Sequence, residues 1–271
     1  MMKGRKTILT MLLSATLALT AGCGAKETAT SGTSEAKTIR VGTDAAYAPF
    51  EYLDGGKVVG FDADFLDAVM KEAGLKYELK NVGWEPLFAS LKTGELDMGI
   101  SAITINDDRK KTYDFSSPYY ESTQMIMVKE GSSVKKADDL KSLKKIGVQT
   151  GTTGAEAAEK LVGKNSERIS KYENTVLAIM ALKNGEVDAV VADNGVVKEY
   201  VKNNPKEKIV AIEDKASFDS EFYGLMFKKD SKDRDKVEAA VQKIMENGKY
   251  TEIYKKWFNT DPDLEALKKA K

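Results

Sequence analysis

The sequence predicts an α/β fold built from two similar units with a cleft between them. Short apolar strands alternate with helical segments along the chain, an order typical of layered α/β proteins. Residues 91–97 (LKTGELD) recur as residues 182–188 (LKNGEVD). In both copies a helix ends at glycine and an apolar strand follows. An I-x-V-x-T strand also stands upstream of each copy, at residues 39–43 and 146–150. These two observations predict two related lobes.

The elements of the first unit follow from local patterns. Residues 39–42 form a β-rich run, and apolar side chains at helical spacing between residues 61 and 70 predict a helix. Residues 84–92 predict a second helix that stops at Gly94, and residues 96–103 predict an apolar strand.

Two further segments connect the units. Residues 124–129 (QMIMVK) predict a strand that leaves the first unit, and residues 223–228 (YGLMFK) predict a similar strand after the second. The amphipathic helices predicted at residues 236–245 and 250–258 need a core, so the chain is expected to return to the first unit. Two crossing strands would then act as a hinge, and the cleft between the lobes would be the natural ligand site.

The N-terminus has the pattern of an export signal. A basic start is followed by an apolar run and by small residues before Cys23, the one cysteine of the chain. The run is shorter than the roughly 20 residues that span a bilayer. We interpret it as a lipoprotein signal peptide with acylation of the Cys23 thiol; an ordinary secretory peptide with an unused cysteine is the alternative. Residues 24–37 are small and polar, typical of a flexible tether.

Composition excludes several function classes. The chain has no histidine, which removes His-dependent triads and His-ligated metal sites. Lys and Arg equal Asp and Glu in number, and removal of the basic N-terminus leaves a small acidic excess, so no nucleic-acid partner is expected. We expect no metal and no cofactor, and any catalysis would depend on carboxylates, lysine or tyrosine.

Four motifs extend over most of the chain after the tether: residues 42–51 (GTDAAYAPFE), 59–64 (VGFDAD), 103–109 (ITINDDR) with 114–116 (DFS), and 248–258 (GKYTEIYKKWF). Together they resemble the motifs of one family, the extracellular solute-binding proteins of polar amino-acid ABC importers (family 3). Within this family the chain is most similar to lipoprotein binders of arginine, lysine and histidine.

The resemblance implies a two-lobed fold of the type II periplasmic-binding-protein class. The expected organisation is signal peptide 1–22, lipidated cysteine and tether 23–37, first lobe 38–127 plus 224–260, second lobe 128–223 and tail 261–271. It also implies an extracytoplasmic, lipid-anchored protein that binds an amino acid and delivers it to the permease and ATPase subunits of an importer.

The ligand's backbone groups have candidate partners. Arg109 offers two parallel donors to a carboxylate, as the family's matching arginine does; a surface ion pair with its acidic neighbours is the alternative. Thr152 and Thr153 precede a helix whose N-terminus suits an anion, although plain N-capping explains them too. Asp193, which matches the family's second-lobe aspartate, is the candidate for the ammonium group, or else a turn residue. Further contacts with the ligand are expected from three residues of the first lobe: Ser101, Ala102 and Thr104.

A pocket for the ligand's side chain is expected beside these groups. Aromatic faces hold a guanidinium or an alkyl chain by stacking and cation–π attraction, and a carboxylate would meet its positive end. The candidate lining residues are Asp44, Tyr47, Phe50, Glu51, Trp84 and Gln149. For the aromatic members ordinary core packing is the alternative, and Glu51 also occurs in glutamine-binding relatives.

The chain departs from the family's patterns at three positions. Gly154 stands where lysine/arginine/ornithine binders carry glutamine, while Gln149 and Ala192 stand where a glutamine binder has lysine and histidine. The absence of those two basic groups favours a basic amino acid over glutamine. Another polar amino acid remains the alternative ligand. A cyclohexadienyl-dehydratase-like enzyme is a remote alternative, because the fold also serves that chemistry.

Overall fold

The structure, a computed structural model, describes residues 37–270. The predicted signal peptide, the lipidation of Cys23 and all but the last residue of the tether lie outside the described residues. Within residues 37–270, no helix is both long and apolar enough to cross a membrane.

The strands are short, and they are numbered along the chain. They are β1 (Ile39–Thr43), β2 (Ala46–Tyr47), β3 (Glu51–Asp54), β4 (Lys57–Val59), β5 (Tyr77–Asn81), β6 (Met98–Gly99), β7 (Tyr113–Phe115), β8 (Tyr120–Ser122), β9 (Gln124–Lys129), β10 (Ile146–Gln149), β11 (Ile169–Tyr172), β12 (Ala189–Asp193), β13 (Ile209–Glu213), β14 (Glu221–Tyr223) and β15 (Met226–Lys228).

The α-helices alternate with these strands. They are α1 (Phe61–Ala73), α2 (Trp84–Thr93), α3 (Asp107–Lys110), α4 (Thr153–Val162), α5 (Thr175–Asn184), α6 (Asn194–Asn203), α7 (Arg234–Glu246), α8 (Lys249–Phe258) and α9 (Leu264–Lys269); 3₁₀ turns occur at Ala137–Ser142 and Pro205–Glu207.

The first lobe is the sheet ordered β5-β1-β6-β15-β7 with its covering helices. β1 runs parallel to β5 and β6, whereas β15 runs antiparallel to β6 and β7. Helix α1 packs against α7 and α8, so the chain returns to this lobe at its C-terminal end, as the sequence predicts. The apolar stripe of α1 provides much of the core, through Phe61, Phe65, Leu66, Val69 and Met70.

The second lobe is the sheet ordered β11-β10-β12-β9-β13 with α4, α5 and α6. β10 runs parallel to β11 and β12, and β9 lies antiparallel between β12 and β13. Apolar clusters cover both faces of this sheet, which explains why its inner strands are apolar throughout rather than alternating. Two lobes with related sheets confirm the predicted α/β architecture.

The lobes are joined by the antiparallel pair β8 and β14. The sequence patterns predict the crossing a few residues later, at 124–129 and 223–228. Gln124–Lys129 is instead an inner strand of the second sheet with a neighbour on each side, so it cannot also serve as the free connector. The second segment is split, because Gly224 and Leu225 separate β14 from β15.

Two other segments differ from the predictions. The strand predicted at 96–103 is limited to Met98–Gly99, because Ala102 has a φ of 45° and turns the chain out of the extended region. The predicted tail contains the short helix α9, whose Leu267 is buried in the core of the first lobe.

Candidate functional site

A small cavity lies between the lobes, where strands of the two sheets end. β1 and β6 from one sheet and β10 and β12 from the other direct their C-terminal loops toward it, the usual position of ligand sites in parallel α/β sheets. It is lined by Asp44, Tyr47, Trp84, Ser101, Ala102, Thr104, Arg109, Gln149, Thr152, Thr153 and Asp193. The structure thus gathers eleven of the thirteen residues that the sequence singles out for the cleft.

Phe50 and Glu51 do not line this cavity. The Phe50 ring is fully buried and packs edge-on against Tyr120 with 4.8 Å between ring centroids. It also lies so close to Gly195 of α6 that a Cβ there would come within 2.7 Å of the ring. Glu51 lies beneath the cavity wall, where its carboxyl group accepts a hydrogen bond from Ser101. Both residues therefore support the site from behind.

Arg109 is held in a fixed pose at one end of the cavity. Its guanidinium donates to the carbonyl of Thr104 at 2.8 Å and to that of Gly151, in the other lobe, at 3.4 Å. The rings of Trp84 and Phe88 each lie 5.3 Å from its central carbon, within cation–π range. The neighbouring Asp108 pairs with Lys111 instead.

The guanidinium therefore keeps its charge, and its remaining N–H groups can donate hydrogen bonds to a molecule in the cavity. Burial lowers the pKa of Arg109, yet an arginine remains protonated. Trp84, which the sequence predicts in the side-chain pocket, lines the cavity and also contacts Arg109. Its Nε1–H donates to the Gly151 carbonyl at 3.3 Å, which adds a second bond between the lobes.

Asp44 also lines the cavity and directly follows β1. Its backbone N–H donates to Ser101 Oγ at 3.0 Å, and its carboxylate accepts from Gln149 Nε2 of the second lobe at 2.9 Å. Thr175 donates to Gln149 Oε1 at 3.0 Å, which turns the amide so that its NH₂ faces the carboxylate. Burial raises the pKa of Asp44, and the bond from Gln149 opposes that shift.

Asp193 ends β12 and is almost fully buried. It makes no side-chain capping bond to α6, so the alternative of a plain turn residue does not describe it. Its two oxygens instead accept from Gln124 Nε2 at 2.6 Å and from the Tyr223 hydroxyl at 2.5 Å. Burial raises its pKa, and the negative charge of Glu221 adds to the increase. A cation in the cavity would stabilise the ionised form.

Thr152 and Thr153 open helix α4. Thr152 is the N-cap, and its hydroxyl accepts from the Ala155 N–H at 3.2 Å. The capping explanation is therefore correct for Thr152, and the residue lines the cavity at the same time. The helix presents its N-terminal end, with partial positive charge, on the same side as Arg109.

Sequence reasoning missed Glu221, whose carboxylate bonds to both lobes. Its Oε2 accepts from the Thr104 hydroxyl at 2.8 Å and from the Thr153 hydroxyl at 2.6 Å. Its Oε1 accepts from Gln124 at 3.3 Å. The residue lies on the crossing strand β14, outside every motif that the sequence displays, so no local signal identified it.

The arrangement separates charge along the cavity. A cationic corner at Arg109 and the α4 N-terminus faces an anion, whereas Asp193 and Asp44 supply two separate places for positive groups. Among residues 37–270 there is no cluster of His, Cys, Asp and Glu placed to hold a metal ion.

Comparison with known proteins places this geometry in context. Residues 39–260 match the family of bacterial extracellular solute-binding proteins, family 3. The chain is 41% identical to a probable histidine-binding protein of Neisseria gonorrhoeae, covering 95% of this chain and 97% of that protein. It is 32% identical to the arginine-binding extracellular protein ArtP of Bacillus subtilis (strain 168), over 90% and 93% of the two chains.

A solved structure extends the likeness to three dimensions. The arginine-, lysine-, histidine-binding protein ArtJ from Geobacillus stearothermophilus superposes with a TM-score of 0.84 and is 62% identical in sequence. The match covers 86% of this chain and 100% of that one.

The bridging position of Glu221 generates a prediction about closure. Glu221→Gln removes the charge that strengthens two hydroxyl bonds, and hydrogen bonds to charged groups contribute about 1.5–3 kcal/mol. We expect the variant to favour separated lobes relative to wild type, measured by small-angle X-ray scattering in one buffer. Glu121→Gln is the matched control, because Glu121 lies on the paired strand β8 and accepts from Ser220 at the surface. Equal radii of gyration for both variants and wild type would show that Glu221 does not hold the lobes together.

Proposed function

The chain belongs to the bacterial extracellular solute-binding proteins of family 3, and we propose that it captures a basic L-amino acid and delivers it to an ABC importer. The observation that carries the proposal is the set of charges in one closed cavity: Arg109 at one corner and the carboxylates of Asp193 and Asp44 at two others. An amino acid with a cationic side chain carries the complementary three charges. The relatives described as arginine-, lysine- or histidine-binding support the same substrate class.

Arg109 is the proposed partner of the α-carboxylate. Its planar guanidinium is already oriented by two aromatic faces and two carbonyls, so little side-chain freedom is lost when the ligand binds. Thr152 and Thr153 add the N-terminal end of α4. Desolvation by both lobes strengthens these contacts.

Asp193 is the proposed partner of the α-ammonium. Both of its oxygens are positioned by donors, and Thr104 lies in the same cavity from the first lobe. The hydroxyl proton of Thr104 is directed to Glu221, which leaves an oxygen lone pair able to accept from the ammonium. The second lobe therefore supplies the charge and the first lobe an acceptor.

Asp44 is the proposed partner of the cationic side chain. Gln149 holds its carboxylate, and Tyr47 lines the same cavity with an aromatic face. A guanidinium combines stacking with charge neutralisation more fully than an ammonium does, so we rank arginine above lysine. A neutral glutamine side chain would leave this buried carboxylate without a counter-charge.

The competing functions make different demands on the same cleft. A binder of glutamine or another polar amino acid would not depend on the charge of Asp44. A dehydratase would need a cleft carboxyl group that donates a proton to its substrate. Asp193 and Asp44 are instead held as hydrogen-bond acceptors, an arrangement suited to binding cations, and we propose binding without catalysis.

The proposed location is the outer face of the cell membrane. The family is extracellular, and the sequence around Cys23 has the pattern of a lipoprotein signal. An acyl chain on Cys23 would keep the binding lobes near the permease and ATPase subunits, which we propose as partners.

Arg109→Lys tests the carboxylate site. A lysine ammonium cannot supply two parallel donors or present a planar group to the rings of Trp84 and Phe88, so we expect arginine binding to weaken by about 2–5 kcal/mol. This corresponds to at least about 30-fold in Kd by isothermal titration calorimetry. Arg40→Lys is the control, since Arg40 pairs with Asp97 away from the cavity. An unchanged Kd in Arg109→Lys would place the carboxylate elsewhere.

Asp44→Asn tests the choice of substrate. Loss of the carboxylate should raise the Kd for arginine about tenfold or more, whereas the Kd for glutamine should change much less. Titrations of both amino acids into wild type, Asp44→Asn and the exposed control Asp54→Asn provide the measurement. If glutamine binds wild type more tightly than arginine does, the proposed specificity is wrong while the binding function stands.

Cys23→Ala tests the anchor. We expect the wild-type protein in its native host to sediment with membranes and the variant to appear in the soluble fraction, detected by immunoblot. Mass spectrometry of the wild-type N-terminal peptide should show an acylated cysteine. A soluble, unmodified wild-type protein would contradict lipid anchoring and leave the cleft assignments unaffected.

A further inference from the structure

Two carboxylic acids lie together beneath the cavity and face no basic side chain among their described partners. Glu51 begins β3, and Asp62 lies in the first turn of α1. Each side chain belongs to a residue that is only 1% exposed. Neither lines the cavity that we assign to the ligand, so binding alone does not explain why the fold retains them.

The hydrogen bonds leave one oxygen of each carboxyl group unused. Glu51 Oε1 accepts from the Ser101 hydroxyl at 2.7 Å. Asp62 Oδ2 accepts from the Ala102 N–H at 2.9 Å and from the Tyr119 hydroxyl at 2.9 Å. Glu51 Oε2 and Asp62 Oδ1 are buried and receive no hydrogen bond from any described group. Two buried acceptors without a donor would be costly unless a proton lies between them.

The charges around the pair also oppose double ionisation. The titratable groups that face Glu51 are Asp62, Asp44, Tyr47 and Tyr119. Tyr119, Tyr120 and Tyr250 face Asp62. Burial raises the pKa of Glu51 well above its usual range, and the charge of Asp62 adds to this increase. Burial also raises the pKa of Asp62, although the hydrogen bonds from the Ala102 N–H and the Tyr119 hydroxyl oppose that shift.

We propose that Glu51 and Asp62 share one proton and that the singly protonated pair positions the Ser101–Ala102 turn of the binding site. Glu51 carries the proton and donates it from Oε2 to Asp62 Oδ1. Donors then run in one direction: the Asp44 N–H donates to Ser101, Ser101 donates to Glu51, and Glu51 donates to Asp62. All four polar groups are thereby satisfied.

The turn depends on this support because its backbone is unusual. Ala102 has a φ of 45°, a region that L-residues with a Cβ seldom adopt. The Ala102 N–H bond to Asp62 holds it there, and the Ser101 bond fixes the residue before it. The inference rests on the proposed function only in saying that this turn contacts the ligand.

The pH dependence of folding tests the shared proton without any ligand. Above about pH 5 an unfolded glutamate has lost its proton, whereas the folded pair retains one. Folding therefore takes up a proton, and the folding constant should fall about tenfold per pH unit until the folded pair ionises. In Glu51→Gln the amide NH₂ replaces the shared proton and its oxygen still accepts from Ser101, so this contribution should vanish.

The experiment is urea unfolding of ligand-free wild type, Glu51→Gln and Glu95→Gln between pH 6.5 and 8.5. Glu95→Gln is the matched control, because Glu95 accepts from Ser90 in the same lobe but is exposed. We expect wild type and the control to share one pH slope, and Glu51→Gln to differ from them by one proton. Identical slopes for all three proteins overturn the proposal.

Two further measurements cover a variant that does not fold. Asp62→Asn should also remove the proton uptake, because the asparagine NH₂ can donate to an ionised Glu51. In wild type, the carboxyl ¹³C shift of Glu51 should report a protonated acid at pH 7; an ionised Glu51 there overturns the proposal. Arginine titration of wild type at pH 7 separates this inference from the proposed function. If no amino acid binds while the slopes differ as expected, the proposed function fails and the proton assignment stands.

Discussion

The cleft depends on one constraint: groups from two separate sheets must meet across a gap that only the β8–β14 pair spans as regular structure. Each lobe folds around its own core, so the relative position of the lobes is set by few contacts. Those contacts include polar bonds at the cavity itself, through Gln149 with Asp44, and through Thr104 and Thr153 with Glu221, together with the packing of Phe50 on Gly195. A molecule bound there adds to the same small set of bonds, and so has a large influence on whether the lobes are together.

Acidic groups dominate the interior of this region. Asp44, Asp193, Glu51 and Asp62 are all buried, and Arg109 is the basic residue among the described cavity-lining side chains. Hydroxyl, amide and backbone donors stabilise each carboxyl group in place of an ion pair. A cation that entered the cleft would therefore meet carboxylates that are not already paired with a lysine or an arginine.

The sequence predicted the two-lobed architecture and the family, because the repeat and the motifs are local patterns. Such patterns can be recognised from residues that are close in the chain, without information on tertiary contacts. Helix α1 and strand β9 lie close to where their patterns indicated. The crossing strands were displaced, since whether a strand is an inner member of a sheet depends on neighbours distant in sequence. Eleven predicted residues meet at the cavity because strand ends bring them together.

The differences between the predicted and the observed site residues also have physical causes. Phe50 and Glu51 adjoin a cavity-lining residue, but the turn after Tyr47 directs them inward, and turn direction is not visible in residue types. The role of Glu221 could not be predicted from the sequence, because it depends on two hydroxyl groups that the fold brings together. Trp84 lines the cavity, and its contact with Arg109 could not be predicted because it depends on the tertiary fold.

The packing of Phe50 on Gly195 sets a limit on how closely the lobes approach. A methyl group at position 195 would enter the Phe50 ring and come within 3.2 Å of the Tyr120 hydroxyl. Gly195 does not have a positive φ, so an alanine there would act as a spacer between the lobes without backbone strain. A single methyl group at a position that does not line the cavity can thus change the resting separation of the lobes, and with it the affinity for a ligand. Affinity in such a protein can evolve at the contact surface of the lobes while the chemistry of recognition remains unchanged.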